Sequence, residues 1–119
     1  MVCGGRDYKN KIRVDQVLNS LYEDYVTFGD YDTIIIIQGD AKGADSLAKK
    51  WAEANSLQHF DFPANWGRYG KKAGYLRNKQ MLEEGKPDLV VAFPGGRGTS
   101  MMVKLSQDAK VPVKDLTKG

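Results

Sequence analysis

Three times in this chain an apolar run stops at glycine and a helical pattern takes over. Met1-Val2-Cys3 runs into Gly4-Gly5-Arg6-Asp7. The β-branched run Thr33-Ile34-Ile35-Ile36-Ile37 runs into Gln38-Gly39-Asp40-Ala41-Lys42-Gly43-Ala44-Asp45. Leu89-Val90-Val91-Ala92-Phe93 runs into Pro94-Gly95-Gly96-Arg97-Gly98-Thr99. A strand that turns on glycine straight into a helix is half of a βαβ unit, which limits the chain to sheets with parallel neighbours and helical crossovers. Glycine lets backbone turn sharply and approach a ligand closely, because no Cβ intervenes. A helix that begins there aims its free N–H groups and positive dipole end at the turn, an arrangement that binds anions. Thr99 adds a hydroxyl that can cap the helix or bond a phosphate oxygen. Alternatively these are ordinary strand-to-helix turns. All three lie at strand carboxyl ends, where ligands bind in open α/β sheets, so they are expected to converge on one crevice.

The rest of the chain fits around these turns. The first strand is short for one inside a sheet. Val14, Val17, Leu18, Leu21, Tyr22 and Tyr25 share one helical face, which predicts a helix from Lys11 to Phe28 closed by Gly29-Asp30. The isoleucine run reads as a strand buried on both faces. The helix after Gly43 carries Ala44, Leu47, Ala48 and Trp51, with Trp51 expected in the core. Asp45 sits in its first turn, where it either complements the dipole or accepts hydrogen bonds from a ribose. Leu57 to Phe62 reads as a third strand. Pro63-Ala64-Asn65-Trp66-Gly67-Arg68-Tyr69-Gly70 follows as an aromatic loop. Trp66 and Tyr69 can stack on a base with Arg68 near phosphate, or form a lid or subunit contact. Lys71 to Glu84 reads as a helix closed by Gly85 and stopped by Pro87. Arg77 shares a face with Ala73 and Met81; it points inward to the strand ends or makes a surface salt bridge, and spacing alone favours the salt bridge. A helix with Met102, Leu105 and Ala109 on one face and a short strand, Val111-Pro112-Val113, end the chain; the proline suits a sheet edge. Five strands alternating with four helices give an α/β layer fold.

Composition narrows the function. The 119 residues suffice for one domain spanning 1–119, and 41% apolar with 28% charged residues fit a soluble globular protein. A net charge of +3 permits an anionic ligand without the dense basic footprint of a nucleic-acid binder. Cys3 alone excludes an internal disulfide, and His59 is the single histidine, so no metal site is expected. No run is long enough to cross a membrane and no signal peptide is visible, which gives the expectation of a cytoplasmic protein.

Taken together, Cys3-Gly4-Gly5-Arg6-Asp7, Gly39 to Asp45, Pro63-Ala64-Asn65-Trp66, Ala73-Gly74-Tyr75-Leu76-Arg77-Asn78 and Pro94 to Thr99 resemble the YspA-like, cpYpsA-related branch of the SLOG superfamily of nucleotide-binding domains. The resemblance covers almost the whole chain. It implies a Rossmann-like three-layer α/β/α fold, a five-stranded mostly parallel sheet ordered 3-2-1-4-5, and a pocket for a nucleotide or nucleotide-derived ligand. Relatives implied by it include the LOG-type phosphoribohydrolases, the DNA-processing protein DprA and sensor domains of bacterial immune systems. The LOG-type enzymes carry an arginine in R-x-x-x-M, matched by Arg77 and Met81, and a glutamate in P-G-G-x-G-T-x-x-E. Met102 stands in the glutamate's place, and methionine can neither stabilise an oxocarbenium-like centre nor handle a proton. The first strand is also shorter than the family's.

The expected function is therefore binding of a phosphorylated nucleotide derivative, as a sensor or a sequestering protein, a role that would suit a phage or mobile-element protein. Gly95, Gly96, Gly98 and Thr99 would cradle phosphate within the loop that also holds Pro94 and Arg97. Arg6 and Arg77 would supply charge, Asp45 would take the ribose, and Trp66 or Tyr69 would cover the base. Gly4, Gly5, Gly39, Asp40, Gly43, Ala44 and Asn78 complete the expected pocket. The alternative is a nucleotide N-glycosidase using Arg77 with Asp45 or Asp40; a third reading, single-stranded nucleic-acid binding, lacks a dense basic groove. No cofactor is implied. A homo-oligomer is expected, through the Trp66 loop or an exposed Met101.

Overall fold

The computed structural model describes residues 1–118. Strand β1 (Val2–Cys3) leads to helix α1 (Lys11–Tyr22), strand β2 (Ile36–Gln38), helix α2 (Ala44–Ala54) and strand β3 (His59–Asp61). A short helix α3 (Trp66–Tyr69) and a 3₁₀ turn (Gly70–Lys72) precede α4 (Ala73–Gly85), β4 (Val90–Ala92), α5 (Arg97–Asp108) and β5 (Val113–Asp115). Every strand pair is parallel: β1 with β4, β4 with β5, and β2 with β3. Among the described residues the hydrogen-bonded order is β1-β4-β5 and, separately, β2-β3. The expected single ladder of five strands is thus present as two pieces. β1 and β2 touch but share no ladder. The reason lies in the length of β1: its two residues pair with Val91 and Ala92, and its flanking carbonyls, Met1 and Cys3, accept from Val91 and Phe93.

Strand alternation sends successive residues to opposite faces. Val2, Ile36, Val91 and Phe93 enter a core with Val14, Leu18, Ala48, Trp51 and Ala52 of α1 and α2. Cys3, Ile37, Val90 and Ala92 enter a second core with Met81 of α4 and Met102 of α5. Helices therefore cover both faces, as a parallel sheet requires. Trp51 is buried as expected, and its indole N–H donates to Asn19 Oδ1 at 2.8 Å.

Several expectations need correction. The helix expected to run to Phe28 turns π-helical over Glu23–Thr27, and its wider ring shifts the side-chain register, so Tyr25 leaves the buried face and stands exposed. The isoleucine run is not buried throughout: only Ile36 and Ile37 are, because pairing with β3 begins at Ile36, whereas Ile35 is exposed. The loop after β3 contains α3, capped by Asn65 Oδ1 accepting from Arg68 N–H at 3.1 Å. Gly85 is the last residue of α4, and Lys86 takes the left-handed turn with φ 47°. The last strand starts at Val113; Pro112 stands before it, its carbonyl accepting from Val90 N–H at 2.9 Å. Among the described residues no helix is long and apolar enough to cross a membrane.

Candidate functional site

The three glycine turns are stitched to one another by backbone contacts. Gly5 N–H donates to Pro94 O at 2.9 Å, tying the first turn to the third, and Ala44 N–H donates to Gly5 O at 3.2 Å, tying the second to the first. Two glycines make this approach possible. Gly43 has φ 76°, and a Cβ there would collide with the carbonyls of Gly5 and Arg6. A Cβ on Gly95 would collide with Thr99 Oγ1 and Gly5 N. An L side chain at either position would force the turns apart.

Beside this junction lies a cleft of about 310 Å³. Of the expected site residues, Gly4, Gly5, Arg6, Asp45, Trp66, Arg77, Asn78, Gly96, Gly98 and Thr99 line it. The others do not. Gly39, Gly43 and Ala44 are packed in the turn backbone behind it, Pro94 is half-buried there, and Gly95 is exposed but outside its lining. Asp40 turns away in a left-handed conformation, φ 55°, and its carboxylate lies 3.5 Å from Lys49 Nζ. Arg97 is exposed outside the cleft. Tyr69 and Arg68 also stand apart, the guanidinium resting 5.1 Å from the Tyr69 ring centroid. Cys3, Ala41, Gly74, Met81 and Met101 line the cleft unforeseen. Met101 is half-buried there rather than exposed. Cys3 could have been read as the last strand residue before the turn, and Met81 as one helical turn beyond Arg77.

Asp45 organises the second turn. Its Oδ2 accepts the N–H groups of Gly39 at 3.1 Å and Ala41 at 3.3 Å, and Oδ1 accepts no hydrogen bond from the described residues. Burial raises its pKa to about 6, against the opposing pull of Arg77, the two N–H groups and Arg6. Burial also raises the Cys3 thiol to about 12, with Asp45 adding to the shift, so Cys3 is a neutral cleft wall.

Arg77 is half-buried and not the surface ion pair that spacing favoured. Its Nη1 donates to Gly39 O at 2.5 Å and its Nε to Asn78 Oδ1 at 3.0 Å. Asn78 Nδ2 in turn donates to Gly98 O at 3.3 Å, so α4 bridges the second and third turns. Burial lowers the Arg77 pKa, opposed by Asp45. Arg6 stacks over Trp66 at 5.3 Å, and Trp66 remains 48% exposed. Among the described residues, neither Arg6 nor Arg77 has a carboxylate within salt-bridge distance.

The start of α5 completes the cleft. Its first α-type bond is Ser100 N–H to Gly96 O, at 3.1 Å. The amides of Arg97, Gly98 and Thr99 therefore lack helical partners, and no side chain caps the helix. A Cβ on Gly96 or Gly98 would touch nothing. Packing thus gives no reason for glycine at position 98, where it costs about 1 kcal/mol inside the helix, while Gly96 stands at the N-cap, a position that glycine suits. Position 102 is different: Met102 is fully buried in the α4–α5 core and is not part of the cleft.

The family described as YAcAr, the YspA, cpYpsA-related SLOG family, matches residues 1–69. The chain is similar to the Gene 61 protein of Mycobacterium phage D29, with 33% identity over 121 residues, covering 95% of this chain and 91% of the phage protein. No solved structure matches the chain.

Proposed function

The chain belongs to the YspA, cpYpsA-related SLOG family, and from that premise we propose that its cleft binds a phosphorylated nucleotide or nucleotide-derived signal, as a sensor or a sequestering protein. One observation carries the reading: two glycines without a packing role sit at a helix start with no side-chain cap, facing two guanidiniums that, among the described residues, have no carboxylate within salt-bridge distance. Phosphate satisfies all of these groups at once. Its oxygens accept the free amides of α5, and Arg6 and Arg77 balance its charge. The unpartnered Oδ1 of Asp45 accepts a ribose hydroxyl. The Trp66 face takes the base, which displaces the Arg6 guanidinium toward the phosphate. The reading takes β3-β2 and β1-β4-β5 as one sheet ordered 3-2-1-4-5, with the ligand above its carboxyl edge. Hydrolysis of the glycosidic bond is disfavoured, because position 102, where the LOG-type enzymes place glutamate, lies in the core.

The test is mass spectrometry of the small molecule released when purified protein is denatured, followed by calorimetric titration with that molecule. A near-stoichiometric intact nucleotide derivative is expected, and Arg77→Ala should weaken its binding at least about tenfold, the loss of one charged hydrogen bond. Steady release of free base from added nucleoside monophosphate, abolished in Arg77→Ala, would defeat the pure-binder reading.

A further inference from the structure

The end of the molecule opposite the cleft carries an ordered aromatic knob. In the π-helical turn, Phe28 N–H donates to Glu23 O at 2.9 Å, and Tyr31 N–H donates to Tyr25 O at 3.0 Å. The Tyr25 and Tyr31 rings meet edge to face, 5.8 Å apart. These contacts hold Phe28 with 82% of its surface in solvent, beside exposed Tyr25 and Tyr31. π-helical turns are rare and often mark functional sites. The surroundings carry charge of one sign. Residues 16–39 hold four carboxylates and neither lysine nor arginine, leaving the remainder of the chain at +7 against a total of +3. Glu23, Asp24, Asp30 and Asp32 flank the knob.

A receptor of matching chemistry lies past the other end of the strands. After β3, an open depression of about 530 Å³ runs along α4, lined at one end by Pro63, Tyr69, Leu76 and Arg77 and at the other by Lys79, Glu83 and Glu84, where Lys79 pairs with Glu83 at 3.8 Å. Tyr69 and Leu76 remain exposed. Arg68, Lys71 and Lys72, also exposed, flank Tyr69 in the chain. The knob precedes β2 and the depression follows β3. Because β2 and β3 are parallel, the two surfaces face opposite ends of one copy and cannot meet within it.

We infer that the acidic aromatic knob of one copy seats in the basic-rimmed depression of the next, so that the protein self-associates head to tail. The occupant is a second copy because the acidic knob complements the basic Tyr69 end of the depression, flanked by Arg68, Lys71 and Lys72, and both belong to this chain. The contact is heterologous, and repeating it extends a chain of subunits. The exposed parts of the three aromatic side chains amount to roughly 350 Å² per copy, well under the ~800 Å² of a standard interface, so association is weak and sensitive to salt. This inference is independent of the ligand reading.

Sedimentation velocity of the full chain, from roughly 10 μM to 1 mM, reads it directly. At low salt the average mass should rise beyond that of two copies; at high salt it should return to one. Phe28→Ser and Leu76→Glu each change an exposed side chain, and circular dichroism would verify that both variants fold. Each should remain at one copy. An equimolar mixture of the two should pair and stop at two, since it retains one usable knob and one usable depression per pair. The inference is overturned if the wild type stays at one copy or stops at two, if Phe28→Ser still assembles, or if the mixture fails to pair. Should the wild type stay single yet bind a lysine–leucine peptide in a Phe28-dependent way, the knob serves a basic partner protein and the second-copy assignment is wrong.

Discussion

At the scale of single residues, glycines in one loop system do opposite jobs. Gly43 holds a positive φ against two carbonyls, and an added methyl group has nowhere to go. Gly43→Ala should therefore cost at least about 2 kcal/mol, read as a lowered urea midpoint. Gly96 faces open space with a negative φ. Gly96 is the N-cap of α5, where alanine is poorer than glycine, so Gly96→Ala should cost no more than about 1 kcal/mol, below the cost at Gly43. If phosphate approaches that backbone, the same substitution should weaken ligand binding about tenfold in calorimetric titration. A Gly96→Ala protein that binds as tightly as wild type would remove the phosphate from this position. Asp45 shapes the turn with one oxygen and leaves the other without a hydrogen bond among the described residues.

At the scale of elements, α5 separates two roles along its length. Its first turn, with Gly98 and Thr99, meets the cleft, and Met101 lines the cleft one turn later. Met102, a step further round, enters the core beside Val90 and Ala92 of β4. A glutamate at 102 would place an unpaired carboxylate in that core. Met102→Glu should cost about 3–5 kcal/mol, a large part of the stability of a small domain, and should produce no base release from nucleoside monophosphates. Chemical denaturation and the base-release assay check the two halves separately. A stable, hydrolytic Met102→Glu protein would show that α5 can rotate this side chain into the cleft. Helix α4 works differently, as a bridge: Arg77 and Asn78 are neighbours on it, yet they reach the second and third turns respectively.

At the scale of the whole molecule, the two hydrogen-bonded pieces of sheet meet at the stitched turns, and the buried carboxyl of Asp45 lies at that meeting point. Its pKa rises from 3.8 to about 6 on folding. Between those values the folded state binds more protons than the unfolded state, so stability falls as pH rises. The contribution present below pH 4 is lost by the time pH passes the folded value, an effect on the order of 3 kcal/mol. Urea unfolding from pH 4 to pH 7 should show this decline over and above the carboxylates that titrate normally, and Asp45→Asn should flatten it. A slope unchanged by Asp45→Asn would mean that water reaches the carboxyl freely.

The sequence alone determined the periodic part of this protein. Apolar runs ending at glycine specified parallel strands joined by helices, because backbone conformation and hydrophobic period are local properties. The same locality made the family resemblance readable and put ten of the expected site residues on one cleft. Where reading failed, the deciding contact was distant. Asp40 follows Gly39 in the chain but turns to Lys49, and Arg77 gives up a surface ion pair for the Gly39 carbonyl, 38 residues away. Tyr69 lies three residues after Trp66 yet lines another depression, with Arg68 resting on its ring, while Trp66 meets Arg6. The break between β1 and β2 and the outward swing of Tyr25 likewise depend on pairing and on a π-helical turn that no residue pattern announces. Side-chain direction at a strand end is settled by whichever partner the fold brings within hydrogen-bond reach, and that is decided only when the turns close on one another.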